Sequence, residues 1–163
     1  MRATCLAFLM MILGSLAVPT LAADASPEFV QDIEPAAKEA VAVVEAFSAA
    51  IKAVRIDQAS ALLDPKVLVL ESGGSERGRD HYLAEHAQAD ADYMKDARQT
   101  LRYRQARVAG DIAWVGTESV VSHDKAGKSA FSLSTETMVL KKSAQGWKIV
   151  HIHWSSRPAP EGK

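Results

Sequence analysis

The sequence predicts an α+β domain in which an antiparallel sheet carries its helices on one face. Apolar residues recur at helical spacing after Pro35, and the period changes to two from Gln99 onwards. Short turns separate the later runs, so neighbouring strands are expected to pair as hairpins. Helices followed by hairpin-connected strands are typical of a layered fold with the helices gathered on one side of the sheet.

The composition is that of an ordinary globular domain. The chain has 163 residues, of which 48% are hydrophobic and 24% are charged, and its formal net charge is -1. A nucleic-acid-binding protein would need a basic face, and a disordered chain would be poorer in apolar residues. The composition therefore argues against both classes, and a single domain is expected.

Residues 1–23 have the pattern of a secretory signal peptide. Arg2 precedes an apolar run from Leu6 to Val18, and small residues follow it. The run is shorter than the roughly 20 apolar residues of a spanning helix, so a membrane-spanning protein is not expected. Cys5 is the only cysteine and leaves with this segment, which excludes disulfides and thiolate sites from the mature chain. We therefore expect a secreted or periplasmic protein.

Three helices and one strand are predicted before the hairpins. The mixed acidic, Ser and Pro residues at 24–35 predict a flexible lead, the domain is expected at 36–158, and 159–163 form a tail. Pro35 suits a first helical turn, and Asp57 can cap a second helix. The helices are expected to begin at Ala36, at Asp57 and at Arg79, the last running to Ala97, with a strand at Val67–Leu70 and a loop at 71–78.

Four hairpin strands follow, and their turns suggest a register. The strands are expected near Gln99–Ala109, Ile112–His123, Ser129–Lys142 and Trp147–Ser156. Pairing Lys142 with Trp147 sets Met138 opposite His151 and Glu136 opposite His153, on one face of the sheet. Extension through the earlier turns adds Tyr103, Trp114 and Glu118 to that polar face.

The opposite face of the predicted sheet is mostly apolar. A face of this kind is too apolar to remain in water, so we expect a homodimer that buries more than roughly 1,000 Å² in total. The residues assigned to it are Val115, Val121, Phe131, Leu133, Val139, Val150, Ile152 and Trp154.

Several polar side chains are candidates for a metal or ligand site. Tyr82, His86, Asp90 and Tyr93 fall on one stripe of the third predicted helix, beside its apolar seam. In the absence of thiols, a transition metal would need His and carboxylate ligands, which suit zinc or copper. The candidate ligands are Glu71, His86, Asp90, His151 and His153. Hydrogen-bonded polar pairs also account for these residues and are the more common arrangement, and both interpretations stand here.

The end of the chain resembles a known domain. The runs Glu136-Thr137-Met138-Val139 and Trp147–Ser155 look like the end of the association (hub) domain of calcium/calmodulin-dependent protein kinase II. Upstream, Ala50-Ile51, Leu63-Asp64-Pro65 and Glu71 also resemble that domain and its SnoaL-like relatives in the nuclear transport factor 2-like, ketosteroid-isomerase-like superfamily. The resemblance covers residues 36–158.

This resemblance implies a curved sheet wrapped around helices, with a conical pocket and usually a dimer. The hub domain has pocket arginines at positions matching Gly116, Met138 and Trp154, and a histidine matching Tyr82, and this chain has none of them. Capture of a small carboxylate by that set is therefore not expected. The resemblance also places Met138 and Trp154 in one pocket, which a β-bulge near His151 would reconcile with the register above.

Three functions are compatible with these observations. The first is an exported protein that binds a small ligand or a metal ion in its pocket. The second is an isomerase or lyase that uses pocket carboxylates with Tyr or His, and the third is an oligomeric scaffold with a vestigial pocket. The expected pocket residues are Tyr82, Tyr93, Tyr103, Trp114, Glu118, Glu136 and Met138.

Overall fold

A computed structural model describes residues 28–125 and 127–160 of the chain. The signal peptide predicted at 1–23 lies outside these residues. The helices are α1 (Lys38–Lys52), α2 (Ile56–Leu62), α3 (Arg79–Glu85) and α4 (Ala87–Lys95). The strands are β1 (Val30–Ile33), β2 (Leu63–Glu71), β3 (Gly74–Arg77), β4 (Arg98–Ala109), β5 (Ile112–Lys125), β6 (Lys128–Ser143) and β7 (Gly146–Pro158). None of the described helices is long and apolar enough to cross a membrane.

The strands form one mixed, mostly antiparallel sheet. Its order is β1-β4-β5-β6-β7-β2-β3. The hairpins β4 to β7 and the pair β2–β3 are antiparallel, whereas β1–β4 and β2–β7 are parallel. The expected antiparallel sheet is therefore confirmed for the hairpins, whereas β1 and β2 join their longer neighbours in parallel. A hairpin fixes only the direction of the two strands that it joins, and helices connect the remaining strands.

The segment expected to be a flexible lead contains the first strand. Val30–Ile33 pairs with the stretch of β4 from Tyr103 to Ala106. The Asp32 carboxylate accepts a hydrogen bond from Arg107 at 2.6 Å and another from Gln105 at 2.7 Å. A strand of four residues is too short to show a clear alternating pattern, so the sequence did not indicate it.

Two further local predictions require correction. The loop expected at 71–78 contains β3, which pairs with β2. The single helix expected from Arg79 to Ala97 is interrupted at His86, whose backbone has φ -124° and ψ -30°. This break separates α3 from α4, but the His86 N–H still donates to the Tyr82 carbonyl at 3.0 Å and the Asp90 N–H to the His86 carbonyl at 2.9 Å.

The helices cover one face of the sheet, here called the inner face, and leave the outer face open. α1 packs against β5 and β7, α4 packs on α1, and α3 packs on β2 and β3. The helix that crosses the inner face is therefore α1. The predicted apolar stripe of α1 is confirmed, because Val44 and Phe47 are among its buried residues.

A difference of one residue in pairing changes which side chains face inward. Lys125 of β5 pairs with Lys128 of β6, which sets Val115 opposite Met138 and Thr117 opposite Glu136. Because side chains alternate along a strand, Trp114 and Glu118 lie on the outer face. The register that placed them with Glu136 was wrong by one residue.

A β-bulge in β7 reverses the alternation of the last strand. Leu140 pairs with Ile149 as predicted, but the next pair is Val139 with His151, which leaves Val150 without a partner in β6. The β-bulge that would reconcile the predicted register with the hub-domain resemblance is therefore present, next to His151. Beyond it, His151 and His153 face outward. Trp154 pairs with Glu136 on the inner face.

The C-terminus of α1 has a left-handed residue that is not glycine. Val54 has φ 56°, while its N–H donates to the Ile51 carbonyl at 3.0 Å and the Arg55 N–H donates to the Ala50 carbonyl at 2.8 Å. These two bonds form a Schellman motif, in which the left-handed position usually holds glycine. A β-branched side chain is strained in this conformation.

We predict that Val54→Gly stabilises the protein by about 1 kcal/mol, because it removes this strain. Val54 is 39% exposed, so little packing is lost. The measurement is the free energy of unfolding in urea. Val54→Ala is the control, and it should gain less because it retains a Cβ. A glycine variant less stable than the parent would show that Val54 contributes more through packing than it costs through strain.

Candidate functional site

A cavity of about 520 Å³ lies between the inner face of the sheet and helices α1 and α4. Its size falls within the range of small-molecule sites. Phe47 of α1 and Trp154 of β7 stack in its wall, with ring centroids 6.4 Å apart and an interplanar angle of 21°. Hydroxyl and amide groups also line it, among them Ser119 and Gln99, which are hydrogen-bonded at 3.2 Å.

The bulge in β7 brings Trp154 into contact with Glu136. The indole Nε1–H donates to Oε2 of Glu136 at 2.8 Å. The indole also neighbours Tyr82, with the two ring centroids 6.3 Å apart and an interplanar angle of 49°. Trp154 therefore connects the aromatic wall of the cavity to a carboxyl group on the inner face.

Glu136 is a half-buried acid with few compensating charges. Burial raises its pKa, while hydrogen bonds from Trp154 and Thr117 and the charge of Arg104 lower the pKa by less. The buried Arg104 guanidinium donates to Glu45 at 2.6 Å and to the Thr117 hydroxyl at 3.3 Å. Arg104 is therefore engaged by Glu45 and acts on Glu136 only through Thr117 and at a distance.

Asp90 of α4 is oriented by a buried tyrosine. The Tyr82 hydroxyl donates to Asp90 Oδ2 at 2.9 Å. Burial raises the pKa of Asp90, and the hydrogen bond from Tyr82 opposes this shift. Burial and the nearby Asp90 carboxylate also raise the pKa of Tyr82. Tyr82 is therefore a neutral donor that fixes the orientation of Asp90.

A histidine and two glutamates complete the polar side of the cavity. His86, at the break between α3 and α4, lies with Nδ1 2.7 Å from Oε1 of the buried Glu76 of β3. This contact leaves the Nε2 atom of His86 free of Glu76. Glu71, at the end of β2, has its pKa raised first by burial and then by Asp90, while His86 lowers it.

The structure brings together part of each expected set of site residues. Of the expected pocket residues, Tyr93 and Glu136 line the cavity, and they are joined there by three candidate metal ligands, Glu71, His86 and Asp90. Tyr93 is 51% exposed and stacks on His123, with ring centroids 4.3 Å apart.

The other expected pocket residues lie elsewhere. Tyr82 lies behind the cavity wall, in contact with Asp90 and Trp154, and Met138 is buried in the core. Tyr103, Trp114 and Glu118 lie on the outer face, because the pairing of β5 with β6 differs by one residue from the expected register. Their assignment to the pocket was therefore wrong.

The five expected metal ligands do not converge. Glu71, His86 and Asp90 line the cavity, but the bulge places His151 and His153 on the outer face. His151 Nδ1 lies 2.9 Å from the Leu68 carbonyl oxygen. Across residues 28–125 and 127–160, no three His, Cys, Asp or Glu side chains are grouped to hold a metal. Zinc or copper binding stays a prediction without an assembled set of ligands.

Sequence reasoning missed several residues that shape the site. Glu76 lies in the short strand β3, within the segment that the sequence predicted to be a loop. Phe47 belongs to the apolar stripe of α1, and a stripe of this kind by itself indicates only a core residue. Trp154 was placed on the wrong face by the register without a bulge. The resemblance to the kinase hub domain did contain the signal for Trp154, because it set Trp154 and Met138 in one pocket.

A comparison with family models decides the family. The model of the SnoaL-like domain matches residues 40–160. The chain belongs to the SnoaL-like family. Among curated proteins, no sequence matches this SnoaL-like domain.

Solved structures give the same fold for this SnoaL-like domain. It is similar to a candidate ketosteroid isomerase from Shewanella frigidimarina, with 32% identity and a TM-score of 0.69 over 76% of this chain and 99% of that chain. It is also similar to a candidate dehydratase of the NTF2-like family from Streptomyces avermitilis, with 20% identity, a TM-score of 0.63 and coverage of 75% and 95%.

A third similar structure is the association domain of CaMKII from C. elegans, with 21% identity, a TM-score of 0.61 and coverage of 72% of this chain and 93% of that chain. The last two similarities show the fold alone. Together these structures confirm the nuclear transport factor 2-like fold predicted from the sequence.

We predict that Glu136→Gln makes stability less dependent on pH. Because folding raises the pKa of Glu136 above 4.5, its contribution to stability is complete below about pH 4.5 and is lost as pH rises through the folded value. Each unit of pKa difference corresponds to about 1.4 kcal/mol. The glutamine keeps an acceptor for Trp154, so the variant should gain stability relative to the parent as pH rises from 4 to 8.

Urea unfolding at several pH values measures this effect. Glu118→Gln, which changes an exposed acid on the outer face, is the matched control. Curves for the parent and Glu136→Gln that run parallel across this range would contradict the prediction.

Proposed function

We propose that this SnoaL-like domain binds a small organic molecule in the cavity of the inner face. The observation that carries the proposal is the cavity of about 520 Å³, with an aromatic wall of Phe47 and Trp154 and carboxyl groups at defined positions. Apolar walls of this kind supply affinity, and a few polar groups fix the orientation of the ligand. Membership of the SnoaL-like family and the similarity to a candidate ketosteroid isomerase support a pocket of this type.

A second candidate function is proton transfer of the isomerase or dehydratase type. The observation that favours it is the presence of Glu71 and Asp90, both with raised pKa values, in one cavity with His86. A carboxyl pKa shifted towards neutral pH suits general acid–base catalysis. Tyr82 would position the Asp90 carboxylate, and Glu76 would orient the His86 ring.

We also propose that the mature protein is exported and forms a homodimer through the outer face. Export rests on the signal pattern at residues 1–23. The dimer would use fewer of the apolar residues that were expected on the outer face. Those that lie on the inner face instead are Val115, Val121, Ile152 and Trp154. Apolar side chains that the outer face does expose include Trp114 at 38% and Phe131 at 49%. An oligomeric scaffold would use the same face without a ligand.

The neutral probe 2-naphthylmethanol should bind saturably at one site, as measured by isothermal titration calorimetry. Ser134→Phe places a ring in the cavity and should weaken binding by about tenfold or more, because the two rings compete for the same space. Trp114→Phe, on the outer face, is the matched control and should bind as the parent does. Circular dichroism checks that each variant is folded. Equal affinity in the parent and Ser134→Phe would place the bound probe outside the cavity.

Sedimentation velocity at micromolar concentration should show a dimer. Phe131→Glu puts a charge on the exposed apolar face and should shift the protein towards monomer, because burial of an unpaired charge is unfavourable. Asp92→Asn, on the exposed surface of α4, is the control. A parent protein that sediments strictly as a monomer would rule out the proposed dimer.

A further inference from the structure

We infer that the cavity selects ligands that carry a positively charged amine on a flat apolar body. The inference rests on the proposed ligand-binding function and names the class of molecule that the cavity takes. Two independent features of the cavity lead to it: the sign of the charges that face it, and the aromatic rings in its wall.

The ionisable groups that face the cavity are predominantly acidic. Four carboxyl groups line it, and its described lining contains no Lys or Arg. The carboxyl groups belong to Glu71, Glu76, Asp90 and Glu136, and the one imidazole is that of His86. The His86 ring is already engaged by Glu76 at 2.7 Å. An anionic ligand would therefore meet repulsion at reduced dielectric, whereas an ammonium group would meet attraction.

The nearby cations are held by other groups. Arg104 is buried and bonded to Glu45 and Thr117, and it does not line the cavity. Lys52, at the end of α1, donates to the Ala97 carbonyl at 3.0 Å. Arg104 acts on Glu136, but neither Arg104 nor Lys52 is among the groups that shift the pKa values of Glu71 and Asp90. A ligand cation beside Glu71 and Asp90 would therefore have no competitor from these two groups.

The aromatic wall supports the same ligand class for a different reason. Phe47 and Trp154 stack in the wall of the cavity, and Tyr93 stands half exposed in its lining. An ammonium group over an aromatic face is attracted by the ring quadrupole, and Trp is the strongest partner. A flat apolar body can also stack on these rings. The cavity therefore offers attraction to both parts of an aromatic amine.

The charge of the carboxyl groups gives the proposal a pH signature. The groups that act on Asp90 are Tyr82 of α3, His86 and Glu76 of β3. The groups that act on Glu71 of β2 are Asp90, His86 and Glu76. Burial raises the pKa values of both Asp90 and Glu71. As pH rises through these values the groups become charged, so affinity for an amine should increase. Binding at lower pH should release protons, because the ammonium group stabilises the carboxylate form.

The experiment compares three probes of similar size by calorimetry with the full mature chain. They are 2-naphthylmethylamine, which is cationic, 2-naphthylmethanol, which is neutral, and 2-naphthylacetate, which is anionic. We expect the amine to bind at pH 8 at least about tenfold more tightly than the alcohol, and the acetate to bind most weakly. Between pH 5 and pH 8 the affinity for the amine should rise, while that for the alcohol stays nearly constant.

Variants then test which groups carry the preference. Asp90→Asn keeps an acceptor for Tyr82, and Glu71→Gln provides a second test if the first variant folds poorly. Each should reduce the preference for the amine, measured as the ratio of the amine and alcohol affinities of the same variant, by severalfold. Glu85→Gln, an exposed acid of α3 that does not line the cavity, is the matched control and should keep the full preference.

Each outcome separates this inference from the proposed function. Equal affinities for the amine and the alcohol, or tightest binding of the acetate, would overturn the inference while ligand binding stands. A preference for the amine that survives both Asp90→Asn and Glu71→Gln would also overturn it. Failure of all three probes to bind would contradict the proposed function itself.

Discussion

The alternation of side chains along β7 determines the composition of the cavity, and Val150 controls that alternation. Val150 is the extra residue of the bulge, so every side chain after it lies on the face opposite to that in a regular strand. Trp154 thereby reaches the inner face, where it stacks on Phe47 and donates to Glu136. In a regular strand His151 and His153 would occupy that face, and the cavity would lose its aromatic wall.

Three acids on the helix-covered side are held by hydrogen-bond donors from neighbouring side chains, Glu136 by Trp154 and Thr117, and Asp90 and Glu76 by one donor each. Tyr82 donates to Asp90, Trp154 donates to Glu136, and His86 contacts Glu76. A carboxylate can accept about four hydrogen bonds, so one or two donors fix its orientation and leave further acceptor positions. Groups held in this way are ordered before a ligand arrives, and reorganisation on binding is correspondingly small.

The parts of the fold that follow from regular periodicity could be predicted from the sequence. The apolar stripe of α1 and the four hairpin strands follow directly from spacing. Of the seven expected pocket residues, Tyr93 and Glu136 line the cavity, and of the five candidate metal ligands, Glu71, His86 and Asp90 line it. Periodicity could not predict which side chains of β5 and β7 face the helices. One extra residue in a turn or a bulge moves the following side chains to the opposite face of the sheet without changing the apolar pattern. The strands β1 and β3 have four residues each, too few for a period to appear.

The two edge strands of the sheet are protected against pairing with other chains. Both outermost strands, β1 and β3, are short, whereas the long strands β4 to β7 lie between other strands. In β3 the side chain of Glu76 is buried. In β1 Asp32 forms an ion pair with Arg107 of β4. Short edges with charged residues resist the addition of strands from other chains. Growth of the sheet into larger β-aggregates is thereby disfavoured, even though its central strands are long.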